Sequence, residues 1–295
     1  MRNAIVARNC RPSVDLRFFH RLCGAKKRLA ALNWLGNLHV RRLRLPRILF
    51  WPFVAAAIAI VAFTVVCTSS REVVVYPSEQ IVVGGCTRTF RVVNPRTDTS
   101  EQLPIVFMFH GHGNTPESEA DRTKLDQLAA SQGFLLVYPA AIQGNWSIHT
   151  FEPGSSDDNR DIRFFDALLE HLTARFHVDR TRVYLVGMSM GATFVHQLAL
   201  ARSGTVAAAV AHSGSAPSPK ECERPFPLMI VVGANESPVA LDSARVDACE
   251  YRHGGHICEL LVVKGIGHEW AQGQNLQMWR FLARHRLDDC SFPRK

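Results

Sequence analysis

The chain has 295 residues, 47% of them hydrophobic, enough to fill the core of one large α/β domain with a tail to spare. Its formal net charge of +8 invites a polyanionic partner, yet residues 1–70 hold 12 Lys or Arg against Asp15 alone. The remaining 225 residues hold 22 basic against 25 acidic side chains, a balance that leaves no footprint for nucleic acid.

The basic leader spans residues 1–47. From Ile48 to Cys67 run twenty residues without a charge, interrupted only by Pro52 and Thr64. A helix of that length rises about 30 Å, the thickness of a bilayer core. Arg41, Arg42, Arg44 and Arg47 precede it, which favours a cytoplasmic N-terminus and puts residue 71 onward across the membrane. The run exceeds the roughly 7–15 apolar residues of a signal-peptide core, which favours a retained anchor over a cleaved signal; a transit peptide is a further alternative. The expected location is thus exported, either tethered through residues 48–67 or secreted.

Residues 68–80 read as a linker and 81–295 as one globular domain. Five of the eight cysteines follow the apolar run: Cys86, Cys222, Cys249, Cys258 and Cys290. Export permits disulfides, and Cys249 with Cys258 would close a short loop. None shows the Cys-x-x-Cys spacing of a zinc site.

In chain order, "QIVVGGCTRTFRVVNP" (80–95) predicts a hairpin around Gly84-Gly85. The continuous apolar runs "LPIVFMFHG" (103–111) and "FLLVYP" (134–139) predict strands buried on both faces. Between them, 118–133 has helical spacing and a terminal glycine. A polar, glycine-rich loop over 140–160 precedes an amphipathic helix over 161–176, with Ile162, Phe165, Leu168, Leu169 and Leu172 on one stripe. Strands over 182–187, 206–211, 227–233 and 257–264 then alternate with helices over 190–202, 239–252 and 270–285. That alternation implies a mainly parallel sheet with helices on both faces.

Gly187-Met188-Ser189-Met190-Gly191 lies between one such strand and helix, the nucleophile-elbow pattern, in which a tight turn lifts the serine Oγ to the carboxyl edge of the sheet. A serine needs a base and the base an acid, following in the order Ser, acid, His on loops after later strands. His268, just past the last strand, is the expected base. His212 is its rival, whereas His196 faces away and His253 and His256 read as solvated. Glu236, three residues past Gly233, is the expected acid, with Asp242 as the alternative. The oxyanion needs two preorganised donors, assigned to the N–H groups of Met190 and of His112 in "FHGHGN". His110 and His112 have His-x-His spacing but no third metal ligand. Trp146 and Phe151 are expected to line the pocket.

With these residues in place, the chain resembles the α/β-hydrolase esterases of the polyhydroxybutyrate depolymerase and feruloyl esterase group, from about residue 80 to 285. The likeness rests on "TRTFRVVNP", "PIVFMFHGHG", "FLLVYPAA", "NWS", "DDNRDIRFFDALLEHLTARFHVDRTRVYLVGMSMGA" and "GIGHEW". The resemblance implies Ser189 as nucleophile and His268 as base. The group's usual acid, an Asp in Gly-Thr-x-Asp-x-x-Val, falls on Gly233-Ala234-Asn235-Glu236-Ser237-Pro238-Val239, so Glu replaces Asp. Met190 and Ala192 also depart from the group's usual residues. The expectation is a serine carboxylic-ester hydrolase acting on small or oligomeric esters, with no cofactor or metal implied. The alternative is a catalytically silent, membrane-anchored binding module that retained the fold.

Overall fold

In the computed structural model, which describes residues 73–95, 101–148, 158–217 and 222–287, the chain first forms a hairpin. Strand β1 (Val73–Val83) pairs antiparallel with β2 (Cys86–Pro95) across Gly84-Gly85. Residues 73–80, expected as linker, thus belong to the sheet. Their Val73-Val74-Val75-Tyr76 run is β-branched and aromatic, the composition that suits a pleated, half-buried strand. The apolar run 48–67, Phe151 and Cys290 lie outside the described residues. Among the described residues, no helix is long and apolar enough to cross a membrane.

Six further strands follow: β3 (Leu103–Phe109), β4 (Leu135–Pro139), β5 (Val178–Met188), β6 (Ala208–His212), β7 (Leu228–Gly233) and β8 (Cys258–Val263). The sheet order is β1-β2-β4-β3-β5-β6-β7-β8. β2 runs antiparallel to β4, and every pair from β4 to β8 is parallel. This is the α/β-hydrolase arrangement, with the carboxyl ends of β3, β5, β6 and β7 on one edge.

Strand side chains alternate between two cores. Ile105, Phe107 and Phe109 join the layer under α3 (Arg160–Arg175), α4 (Met190–Ala201) and α5 (Pro238–His253). Val106 and Met108 join the layer under α1 (Pro116–Thr123), α2 (Leu125–Gln132) and α6 (Asn275–Leu282). That double coverage explains why these strands read as unbroken apolar runs.

The helix expected over 118–133 is two helices, broken at Lys124 in a left-handed conformation with φ 55°. On one continuous helix Ala120 and Leu125 would lie about 140° apart, and the break lets both reach the sheet. The terminal helix is also shorter than expected: a 3₁₀ turn over Gln272–Gln274 precedes α6.

The Cys249–Cys258 disulfide is not formed. Cys249 is an exposed thiol on α5, 3.6 Å from the His253 ring, whereas Cys258 is buried at the start of β8. One faces solvent and the other the core. Burial pushes the Cys258 thiol up to about 11, so it stays protonated and unreactive.

Candidate active site

β5 ends at Met188, and α4 begins at Met190. The residue between them, Ser189, has φ 56° and ψ −121°, a backbone conformation that L-residues rarely adopt. Both flanking glycines are required sterically. A Cβ on Gly187 would overlap the Gly191 carbonyl, and one on Gly191 would overlap the Phe109 and His110 carbonyls of the neighbouring strand end. The Ser189 N–H donates to the His212 carbonyl across β6 at 2.8 Å, which holds the strained turn in place.

Three loops then converge. His268 Nε2 lies 2.9 Å from Ser189 Oγ, and His268 Nδ1 lies 3.0 Å from Glu236 Oε2. The Glu236 side chain is 4% exposed and that of His268 54%, so the carboxylate is sheltered while the imidazole opens towards solvent. Burial pushes the Glu236 carboxyl up, but hydrogen bonds from Ser213, His268 and the Gly233 N–H outweigh it and hold the group below the usual carboxylate range. Asp242, the alternative acid, is exposed on α5 and pairs with Arg245 at 2.7 Å. It takes no part in this cluster.

The loop after β3 lies beside Ser189: a Cβ on Gly111 would stand 3.5 Å from Ser189 Cβ. Met190 is the first residue of α4, so its N–H has no acceptor one turn back and is directed out at the helix N-terminus. His112 is exposed on the adjoining loop. His110 is buried, with Nδ1 donating to the Gly111 carbonyl at 2.8 Å and Nε2 accepting from the Ala141 N–H at 3.1 Å. Burial lowers its basicity. Both ring nitrogens are engaged in shaping the loop, which removes the His-x-His metal reading. Among the described residues, no group of three or more His, Cys, Asp or Glu could hold a metal ion.

Two expectations are corrected. Trp146 does not line an open pocket: it is 2% exposed, stacks on Phe194 with ring centroids 5.1 Å apart, and donates Nε1–H to the His110 carbonyl at 2.8 Å. A large ring with one polar handle suits a buried prop of this kind. His256 is not solvated but buried, its ring 4.6 Å from that of Phe226, because the Gly254-Gly255 turn folds it back onto the core. His196 is buried and stacked on Tyr251, away from the site.

One participant was not anticipated. Ser213, directly after β6, donates its hydroxyl to Glu236 Oε1 at 2.5 Å, while His212 Nδ1 lies 2.8 Å from Ser213 Oγ. His212, the rival candidate base, is fully buried against Trp270 and has no hydrogen bond to the Ser189 hydroxyl. The signal for Ser213 was present in the sheet order. A residue at the end of β6 sits between β5, which leads into Ser189, and β7, which leads into Glu236.

Comparison with known proteins follows the same lines. The profile of the family described as esterase PHB depolymerase matches residues 89–265. NocK of Nocardia uniformis subsp. tsuyamanensis, named a candidate esterase, is 28% identical over 189 residues, or 62% of this chain and 55% of its own. Feruloyl esterase B of Neurospora crassa is 27% identical over 170 residues, or 56% of this chain and 55% of its own. The chain thus spans about half the length of these curated relatives. A solved ferulic acid esterase superposes with a TM-score of 0.57 at 20% identity, covering 72% of this chain and 97% of its own, a likeness of fold. With its family profile matched over more than half its length, this chain belongs to the esterase PHB depolymerase family.

Proposed function

We propose that the chain is a serine carboxylic-ester hydrolase that works through an acyl-enzyme on Ser189. The observation that carries this reading is the unbroken line from Ser189 Oγ through His268 to the sheltered Glu236 carboxylate, with contacts of 2.9 and 3.0 Å. In this reading His268 Nε2 takes the Ser189 proton as Oγ attacks the ester carbonyl carbon. Glu236 stabilises the imidazolium that forms, and the His112 and Met190 N–H groups hold the oxyanion. Collapse breaks the bond to the alcohol oxygen, to which His268 returns the proton. Water, activated by the same imidazole, then hydrolyses the acyl-enzyme and regenerates Ser189.

The relatives' names favour feruloyl or hydroxyalkanoyl esters as the substrate class. The basic leader and the uncharged run 48–67 support placement of the domain on the non-cytoplasmic side of a membrane, tethered or released after cleavage. The test is labelling of the full-length protein with a fluorophosphonate, alongside hydrolysis of a p-nitrophenyl ester chain-length series and methyl ferulate. Both activities are expected to vanish in Ser189→Ala. Folded wild-type protein that neither labels nor hydrolyses would overturn the reading in favour of a silent binding module.

A further inference from the structure

The hydrogen bonds around Glu236 have a direction that can be worked out atom by atom. The Ala271 N–H donates to His212 Nε2 at 3.2 Å, so that nitrogen is unprotonated. In a neutral imidazole the proton then lies on Nδ1. His212 Nδ1–H therefore donates to Ser213 Oγ at 2.8 Å, and the hydroxyl's single proton goes on to Glu236 Oε1. The Gly233 N–H donates to the same Oε1 at 3.1 Å. With Oε1 claimed by two donors, Oε2 is the oxygen left for His268 Nδ1–H. His268 Nε2 is then the bare nitrogen facing the Ser189 hydroxyl.

We propose that Ser213 is a positioning residue for Glu236, and that His212 fixes which way the Ser213 hydroxyl gives its proton. The claim rests on the reading of Ser189, His268 and Glu236 as the reacting line. Glu has one more rotatable bond than Asp, so its carboxylate needs a second anchor to keep one oxygen on the imidazole. Ser213 supplies that anchor from just past β6, the strand between those leading into Ser189 and Glu236. The arrangement requires a neutral His212. It is fully buried, and burial pushes its imidazole down to about 4 despite the opposing pull of Glu236, with the His268 imidazole and the Arg122 guanidinium its other titratable neighbours.

Ser213→Gly tests the proposal. Ser213 has φ 58°, a conformation glycine adopts freely, so the substitution removes the hydroxyl without straining the chain. In the full-length protein kcat is expected to fall about ten- to hundred-fold, the range for a hydrogen bond to a charged group. KM should stay within about twofold, the mark of an interaction used in the transition state. The acid limb of kcat/KM should move to higher pH, because a lost donor no longer favours the carboxylate. Made in a Glu236→Gln background, the same change should cost less than about threefold, since the two residues act as a unit. An unchanged kcat and acid limb, or equal losses in both backgrounds, would overturn the proposal. If the wild type hydrolyses no ester and takes no fluorophosphonate, the esterase reading is what fails. NMR titration of the Glu236 carboxyl then decides the positioning claim: an upward move in Ser213→Gly supports it, and no move overturns it.

Discussion

At the scale of single residues, the length of the candidate acid matters: position 236 holds a glutamate, one methylene longer than an aspartate. Its extra methylene lets one carboxylate touch both Ser213 and His268. Glu236→Asp should therefore keep one of these partners and lose the other, with kcat down about tenfold or more, as a hydrogen bond to an ionised group is worth. Glu236→Gln keeps the length but removes the charge and permits the wrong imidazole tautomer, so steady-state kcat should drop on the order of 10⁴-fold. A Gln variant as active as the wild type would exclude an acid role at this position. The approach of His268 to Ser189 was legible in the sequence because chain order and the strand-turn-helix context point to it. Ser213 was not, since its importance comes from which strands are neighbours in space, and a serine after a strand has no local mark of that.

At the scale of elements, the site depends on close backbone packing and on one buried ion pair. α4 lies so near the ends of β3 and β5 that Gly191 has no room for a side chain. Gly191→Ala must push helix from sheet, and overpacking of this kind costs about 1–3 kcal/mol or more. Urea unfolding would register it as a lower midpoint. Arg88 on β2 and Asp161 at the start of α3 pair at 2.7 Å with side chains 3% and 0% exposed. Asp161 also accepts the Ser147 N–H at 2.7 Å, and Arg88 donates to the Ala140 carbonyl at 3.1 Å. The pair thus fixes both ends of the segment that carries Trp146. Removing Arg88 strands a buried carboxylate, and Arg88→Met should destabilise the protein by about 3–5 kcal/mol in the same measurement. Strand and helix identities were readable from apolar runs and stripes. The break at Lys124 was not, because it serves the phase of burial against the sheet rather than any local preference.

At the scale of the whole molecule, the buried imidazoles tie stability to pH. His212 titrates near 4 in the folded chain, pushed down by burial, against about 6.5 when unfolded. As pH falls below 6.5 the unfolded state takes up the proton first, so stability is complete above that pH and declines towards 4. His110, lowered by burial as well, acts in the same direction. The His212 contribution is on the order of 3 kcal/mol. Denaturant unfolding from pH 7 to pH 4 should show that decline, and His212→Phe should make the profile shallower. A profile as steep in the variant would assign the acid sensitivity elsewhere.

The end of β6 has one more consequence. The His212 carbonyl holds the Ser189 amide, and the next residue's hydroxyl holds Glu236. Ser189 and Glu236 are therefore suspended from adjacent residues at one strand end. A displacement of that strand end would shift both anchors together.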